Sequence, residues 1–426
     1  MENQAYLAIA IFLVTYALIV SEKIHRTIVA MIGGILMIAL GVVNQEEAIH
    51  HIDFNTIGLL IGMMILVSIT GQTGVFKYLA IKAAKLAKGE PVRILVYLSI
   101  ITALLSALLD NVTTVMLIVP VTFSIAKQLR VNPIPYLISE IIASNVGGTA
   151  TLIGDPPNIM IGSAVPALTF MEFIYNLMPI ALIILAVTIA LFVLIYRKQL
   201  KADPERKAKI MSFNEKDELR DRTLLKKSLT VMALTIIGFG LHQLLHLESA
   251  TVALTGAFLL LLLTGEKYLE KALERVEWTT IFFFVGLFVL VAGLVETGVI
   301  SELAAQAMDA TGGDVTLMAL LILWMSAIAS AFVDNIPFVA TMIPMIKEMG
   351  QLGIHNLEPL WWSLSLGACL GGNGTVVGAS ANVIVIGLAA KENYKITFFQ
   401  FMKIGFPLMI LSIVLSTVYV YFRYLV

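Results

Sequence analysis

Two Asp-Asn dipeptides, Asp110-Asn111 and Asp334-Asn335, each stand between apolar stretches of membrane-spanning character. A carboxylate at the centre of a membrane helix costs roughly 2.5–3.5 kcal/mol on insertion scales, so its presence calls for a reason. Two readings compete. Each Asp could cap the helix that follows by accepting backbone N–H bonds, or it could handle a proton or a cation. Two further apolar runs are interrupted by Gly-Gly-Thr-Ala-Thr-Leu-Ile-Gly-Asp-Pro-Pro-Asn (147–158) and Gly-Gly-Asn-Gly-Thr-Val-Val-Gly-Ala-Ser-Ala-Asn (371–382). No helix runs unbroken through either. A break at mid-membrane bares N–H groups at one new end, which favour anions and neutral oxygens, and C=O groups at the other, which favour cations. The hydroxyl and amide side chains around these features can replace the hydration of a small solute. The expected substrate-binding set is therefore Asn111, Thr113, Thr114, Asn145, Thr149, Thr151 and Asn158 from the first half, with Asn335, Asn373, Thr375, Ser380 and Asn382 from the second. Asp110, Asp155 and Asp334 are the candidates for proton or cation coupling.

Positioning these residues requires membrane elements. The chain has 426 residues, 59% hydrophobic and only 13% charged, against about 25% charged in soluble domains. Stretches such as Tyr6–Val20, Ile28–Val43, Leu177–Tyr196, Ser249–Leu263 and Phe406–Tyr421 carry no charge and approach the length that spans ~30 Å of hydrocarbon. Met1–Tyr6 lacks a basic leader and no small-residue cleavage site follows the first apolar stretch, so that stretch is expected to be the first span. The single cysteine, Cys369, excludes an internal disulfide and a multi-thiolate metal site within one chain. No cofactor, metal or nucleic acid is called for. Neither a nucleophile–base pair nor a nucleotide-binding loop supports an enzyme or a primary pump. A channel would arrange repeated filter loops around a subunit axis.

The one long polar interruption, 197–227, holds eleven Lys or Arg residues and divides the chain into halves. A constant offset of 224 aligns those halves without a gap: Gly62 meets Gly286, Thr73-Gly74 meets Thr297-Gly298, Ser106 meets Ser330, and Asp110-Asn111 meets Asp334-Asn335. Pro120, Gly147-Gly148, Thr151, Gly154 and Asn158 likewise meet Pro344, Gly371-Gly372, Thr375, Gly378 and Asn382. These are residue types that hydrocarbon disfavours, so the repeat is real. Asp155 is the exception: its counterpart is Ala379, and Pro156-Pro157 become Ser380-Ala381. Alternating access needs its symmetry broken somewhere, which marks Asp155 as the coupling candidate; a structural salt bridge is the competing reading. Glu140, about one turn into its span, is expected to line the cytoplasmic mouth.

Loop charge sets orientation. Lys23 and Arg26, then Lys77, Lys82, Lys85, Lys88 and Arg93, the 197–227 connector, and Lys267, Lys271 and Arg275 mark cytoplasmic segments. Residues 44–53 and 295–314 are acidic without Lys or Arg. The segment after the third span is thus basic in one half and acidic in the other, which predicts an inverted-topology repeat. The apolar pair around Asp110-Asn111 has basic ends on both sides, so it is read as a re-entrant hairpin entering and leaving by one face. The expected fold is an all-α integral membrane protein with two inverted repeats, each with five crossings (one broken) and one re-entrant hairpin. Repeat one covers 1–196, with its hairpin near 94–130 and broken span near 135–163. The connector is 197–227, and repeat two covers 228–426, with hairpin near 317–350 and broken span near 359–387. Both termini are expected outside the cell membrane and the connector in the cytoplasm.

Ser106-Ala-Leu-Leu-Asp-Asn-Val-Thr-Thr114 and the Asn145–Asn158 segment with its Gly-Asp-Pro-Pro-Asn signature resemble the ion transporter superfamily, over essentially the whole chain. They look most like its arsenite-permease and melanosomal P-protein branch; the sodium/proton antiporter branch is similar in architecture but lacks the Pro-Pro. The resemblance implies a scaffold domain and a transport domain, often a homodimer, and a cytoplasmic ATPase subunit as a candidate partner. For function it implies efflux of arsenite or antimonite in exchange for protons. Sodium/proton antiport and anion or dicarboxylate transport are the alternatives within the superfamily. Arsenite is an uncharged trihydroxide at neutral pH and suits hydroxyl, amide and helix-end partners.

Overall fold

In a computed structural model, residues 2–21 and 23–426 are described. Met1, within the amino end predicted to face outside, and Glu22 lie beyond that description. Repeat one runs α1 (Glu2–Ser21), α2 (Arg26–Ala39), α3 (Gln45–His50), α4 (Phe54–Gly71), α5 (Val75–Leu86), α6 (Pro91–Leu108), α7 (Asn111–Leu129), α8 (Ile134–Thr149), α9 (Pro156–Ala164) and α10 (Phe170–Tyr196). The connector carries α11 (Pro204–Met211). Repeat two runs α12 (Arg222–Leu241), α13 (Ser249–Thr264), α14 (Leu269–Glu274), α15 (Trp278–Glu296), α16 (Val299–Thr311), α17 (Val315–Phe332), α18 (Asn335–Gln351), α19 (Glu358–Gly371), α20 (Ser380–Lys391) and α21 (Phe398–Val420). Among the described residues there is no strand, and nine helices are long and apolar enough to cross a membrane. The protein is a multi-pass membrane protein.

From α3 to α9, every helix begins 224 residues before its counterpart, as in α6 at Pro91 and α17 at Val315. Packing repeats with the sequence. Helix α4 lies on α13 of the other repeat, and α15 lies on α2, so each half completes the other's core. The close approach is made by glycine at matched positions. A Cβ on Gly62 would come within 2.6 Å of the Ala253 carbonyl carbon, and one on Gly286 within 2.6 Å of that of Ala30. Small residues at such crossings let backbones meet where lipid gives no hydrophobic drive for association.

The hairpins turn at the dipeptides. α6 and α7 are separated by Leu109 and Asp110, α17 and α18 by Val333 and Asp334. Each Asp caps the second helix. Asp110 Oδ1 accepts from Thr113 N at 2.7 Å, and Asp334 Oδ1 from Ile336 N at 3.2 Å. The connector is clamped to repeat one, because Lys85 Nζ donates to Phe213 O (2.9 Å) and Glu215 Oε2 (2.6 Å), and Lys207 Nζ to Glu90 Oε1 (2.7 Å). Lys85 holds the Glu215 carboxyl below its usual range.

Candidate functional site

Each broken span is held open by side chains that do the backbone's work. Asn158 Nδ2 donates to the carbonyls of Thr149 (3.2 Å) and Thr151 (2.9 Å); Asn382 Nδ2 donates to those of Gly372 (2.7 Å) and Thr375 (2.8 Å). One carbonyl at the end of α8, one just past α19 and one within each break are thereby paired inside the protein. Thr151 Oγ1 bonds Ala107 O at 2.6 Å, and Thr375 Oγ1 bonds Ala331 O. Ser106 and Ser330 tie the first hairpin helices to Ser144 O (2.7 Å) and Ala368 O (2.6 Å). All of these contacts recur at the 224-residue offset except one: Asn158 reaches Thr149 O, whereas Asn382 reaches Gly372 O, the counterpart of Gly148.

Between the two hairpin tips lies a cavity of about 30 Å³, lined by Asp110, Asn111, Asp155, Asn335 and Ser380, together with Glu277 and Arg26. Asp155 lines it and reaches toward both tips. It precedes α9 in an extended conformation and caps none of that helix's N–H groups with its side chain. Its carboxylate instead faces both tips: Oδ1 accepts from Asn111 Nδ2 at 3.2 Å and Asn335 Nδ2 at 3.5 Å. Oδ2 is buried with no hydrogen-bond partner. No salt bridge to Asp155 forms among the described residues, so the competing structural reading finds no support there.

A second amide cluster adjoins the first. Asn145 Nδ2 donates to Asn373 Oδ1 (2.9 Å) and Asn382 Oδ1 (3.1 Å), and Asn111 Nδ2 lies 3.4 Å from Asn145 Oδ1. Asn158 Oδ1 accepts from Ser365 Oγ at 2.5 Å and Cys369 Sγ at 3.5 Å. Cys369 is the counterpart of Asn145, so one donor position is an amide in repeat one and a thiol in repeat two.

The predicted residues thus divide. Asp110, Asn111, Asp155, Asn335 and Ser380 share the cavity, and Asn145, Asn373 and Asn382 meet beside it, while Asn158 is tied to its own break and to Ser365 and Cys369. The Thr149 hydroxyl is taken by Asn145 O at 2.8 Å, that of Thr113 by Asp110, and those of Thr151 and Thr375 by hairpin carbonyls. Thr114 Oγ1 is buried without a partner. Asp334 is turned to the rim, where it pairs with Arg26 and accepts from Ser380 Oγ at 3.0 Å.

Sequence reasoning missed Arg26 and Glu277. Arg26 counted only as an orienting loop charge, yet it opens α2, pairs with Asp334 and stacks 4.9 Å from the Phe283 ring centre. With Asp334 and Ser380 it also lines a separate 340 Å³ cavity beside the second tip, and Arg26 and Ser380 line both that cavity and the inner one. The available signal was its repeat counterpart, Ala250. Glu277 is the counterpart of Asp53, and the acid shared at the start of α4 and α15 was the clue. One other expectation is corrected. Glu140 does not line a mouth: it is fully buried, and its Oε1 accepts from Thr122 Oγ1 at 2.5 Å between α8 and α7. His242 and His246 stand four apart in sequence, but α12 ends at Leu241, and no group of three metal-ligating side chains occurs among the described residues.

A family model described as "Citrate transporter" matches residues 16–367. The chain belongs to the citrate transporter family. Among curated relatives it is 43% identical to a 46 kDa membrane protein of Mycobacterium leprae over 99% of both chains. It is 44% identical to an uncharacterised transporter of Mycobacterium tuberculosis, again over 99% of both. The human P protein is 34% identical over 98% of this chain, which spans 60% of that larger protein. Among solved structures, the Alcanivorax borkumensis YdaH transporter covers 98% of the chain with a TM-score of 0.61 and 13% identity. The Neisseria gonorrhoeae MtrF protein covers 92% with a TM-score of 0.59 and 10% identity. These two share the fold. The family transporter is a membrane transporter, and the expected kinship with the P protein is present.

Proposed function

We propose that this family member is a proton-coupled antiporter that exports a small, uncharged inorganic hydroxide, arsenite or antimonite, from the cytoplasm across the cell membrane. The observation that carries this reading is Asp155: a buried carboxylate held between amides from both tips, with one oxygen free and an alanine, Ala379, as its counterpart in the other repeat. A carboxylate so placed can exchange a proton or accept a solute hydroxyl, but not both at one oxygen. Competition of that kind couples the two fluxes. Amide N–H groups and carboxylate oxygens suit a neutral trihydroxide. Three carboxylates against one guanidinium around the cavity disfavour a polyanion. A space of about 30 Å³ accommodates a water or two, so a solute enters only when a tip moves. Loop charges support a cytoplasmic connector and inverted repeats.

The second reading is export or import of a carboxylate anion; Arg26 at the cavity and the family's description favour it. Both are tested with purified protein in vesicles under an imposed pH gradient, comparing arsenite, sodium and citrate. Proton-driven arsenite accumulation is expected. Accumulation of citrate alone would establish the second reading and end the first.

A further inference from the structure

Away from the tips, a concavity of about 580 Å³ lies where the α4–α5 turn, α7, α14 and the connector meet. Lys77, Arg220, Lys271 and Arg275 line it, with Glu274 its acidic residue. Among the described residues none of these four cations makes an ion pair within 4.0 Å, and all four are exposed enough to meet a solute. Neutral donors converge on the same place. Gln72 Nε2 is buried in the wall without a hydrogen-bond partner. The 12-residue helix α5 starts there from Gly74, whose φ of 82° only glycine adopts freely. Thr73 Oγ1 accepts from Val75 N at 3.3 Å, but among the described residues the N–H groups of Phe76 and Lys77 have no acceptor. Arg220 N donates to Thr73 O at 3.1 Å, which fixes the connector at the rim.

Orientation alone explains basic loops on one side of a membrane protein, so the repeat provides the control. A related concavity of about 540 Å³ lies against α15 and α18, and Pro344 occupies in it the place that Pro120 has in the first. The residues corresponding to Gln72, Lys77, Lys271, Glu274 and Arg275 are Glu296, Ser301, Glu47, His50 and His51. A concavity recurs at the matched place, while the cluster of four cations belongs to one copy; the other holds Lys347 beside Asp53 and Glu348. Packing therefore does not demand that cluster.

We propose that this pocket binds a phosphate-type oxyanion, carried either by an anionic lipid headgroup or by free phosphate. Arg220 and Arg275 offer planar donor forks, the lysines offer point charges, and the α5 amino end with the Gln72 amide completes the shell. Basic pockets between membrane helices recognise headgroups by the same chemistry. Because its donors come from the start of α5, from α14 and the residue that ends it, and from the connector, the bound anion ties these three together against the apolar α7 wall of Met116, Leu117 and Pro120. The site is independent of what the central cavity transports.

Thermal unfolding of the full-length protein tests this. One arm adds inorganic phosphate in neutral detergent, against chloride at matched ionic strength. The other compares nanodiscs of phosphatidylcholine with and without phosphatidylglycerol. Saturable stabilisation by phosphate supports a free anion, and stabilisation by phosphatidylglycerol alone supports a headgroup. Arg275→Gln and Lys77→Gln should each raise the half-saturating concentration about tenfold, the worth of one charged hydrogen bond. Lys347→Gln, in the related concavity, should leave it unchanged. No stabilisation beyond chloride and phosphatidylcholine, or equal stabilisation of wild type and both pocket variants, overturns the proposal; Lys77→Gln, an exposed change, guards against a folding defect in Arg275→Gln.

Discussion

Asp110 and Asp334 each bond an N–H of the helix they precede, whereas Asp155 spends its side chain on the two tip asparagines. That difference separates their substitutions. Asp155→Asn mimics the protonated acid permanently, so solute binding and downhill exchange should survive while accumulation driven by a pH gradient is lost. Measuring both in the same vesicles decides it; normal gradient-driven accumulation would move coupling to Asp110 or Asp334. Asn caps helices almost as well as Asp, so Asp110→Asn and Asp334→Asn should fold normally and transport more slowly. Wild-type rates in both would leave capping as their whole role. Arg26→Gln frees Asp334 from its ion pair and should raise proton leak several-fold, read as faster decay of an imposed pH gradient. An unchanged decay would reduce the pair to a static tether.

The helix breaks were legible in the sequence because glycine and proline interrupt apolar runs, and hydrocarbon tolerates such backbone only when it is satisfied. Which polar side chains satisfy it was not legible. Thr151, Thr375 and the amide nitrogens of Asn158 and Asn382 looked like solute ligands, but the threonine partners are carbonyls that only the folded hairpins bring near, and the amide partners are carbonyls of their own broken spans. Glu140 misled for a similar reason, since distance along a helix says nothing about the neighbour, here Thr122 of α7. A stability prediction follows for these ties. Asn382→Leu orphans the Gly372 and Thr375 carbonyls, at about 1–3 kcal/mol for each buried group left unpaired. Denaturation in detergent should show a loss in that range or above it. A loss under ~0.5 kcal/mol, the size of an ordinary surface change, would show that the break does not depend on this amide.

At the scale of the molecule, the offset of 224 residues carried most of the architecture: matched helix starts, matched hairpin turns and matched ties at the breaks. It also pointed to function through its failures. Asp155 opposite Ala379 was visible in that way, and Arg26 opposite Ala250 was equally visible but was absorbed into the loop-charge count. Loop charge further predicts that the two halves face opposite ways, and matched residues test this directly. Lys82 on α5 and Gln306 on α16 are 224 residues apart and occupy equivalent helices. In a Cys369→Ser background, which keeps a donor for Asn158, Lys82→Cys and Gln306→Cys should react with a membrane-impermeant maleimide from opposite sides. Gln306→Cys should be labelled in right-side-out vesicles, and Lys82→Cys only in everted ones. The argument is physical: moving the five basic residues near α5 to the outer face would oppose the charge asymmetry that sets topology. Labelling of both from one side would mean that the repeats are parallel, and that the tips reach their shared cavity by a route other than opposed re-entry.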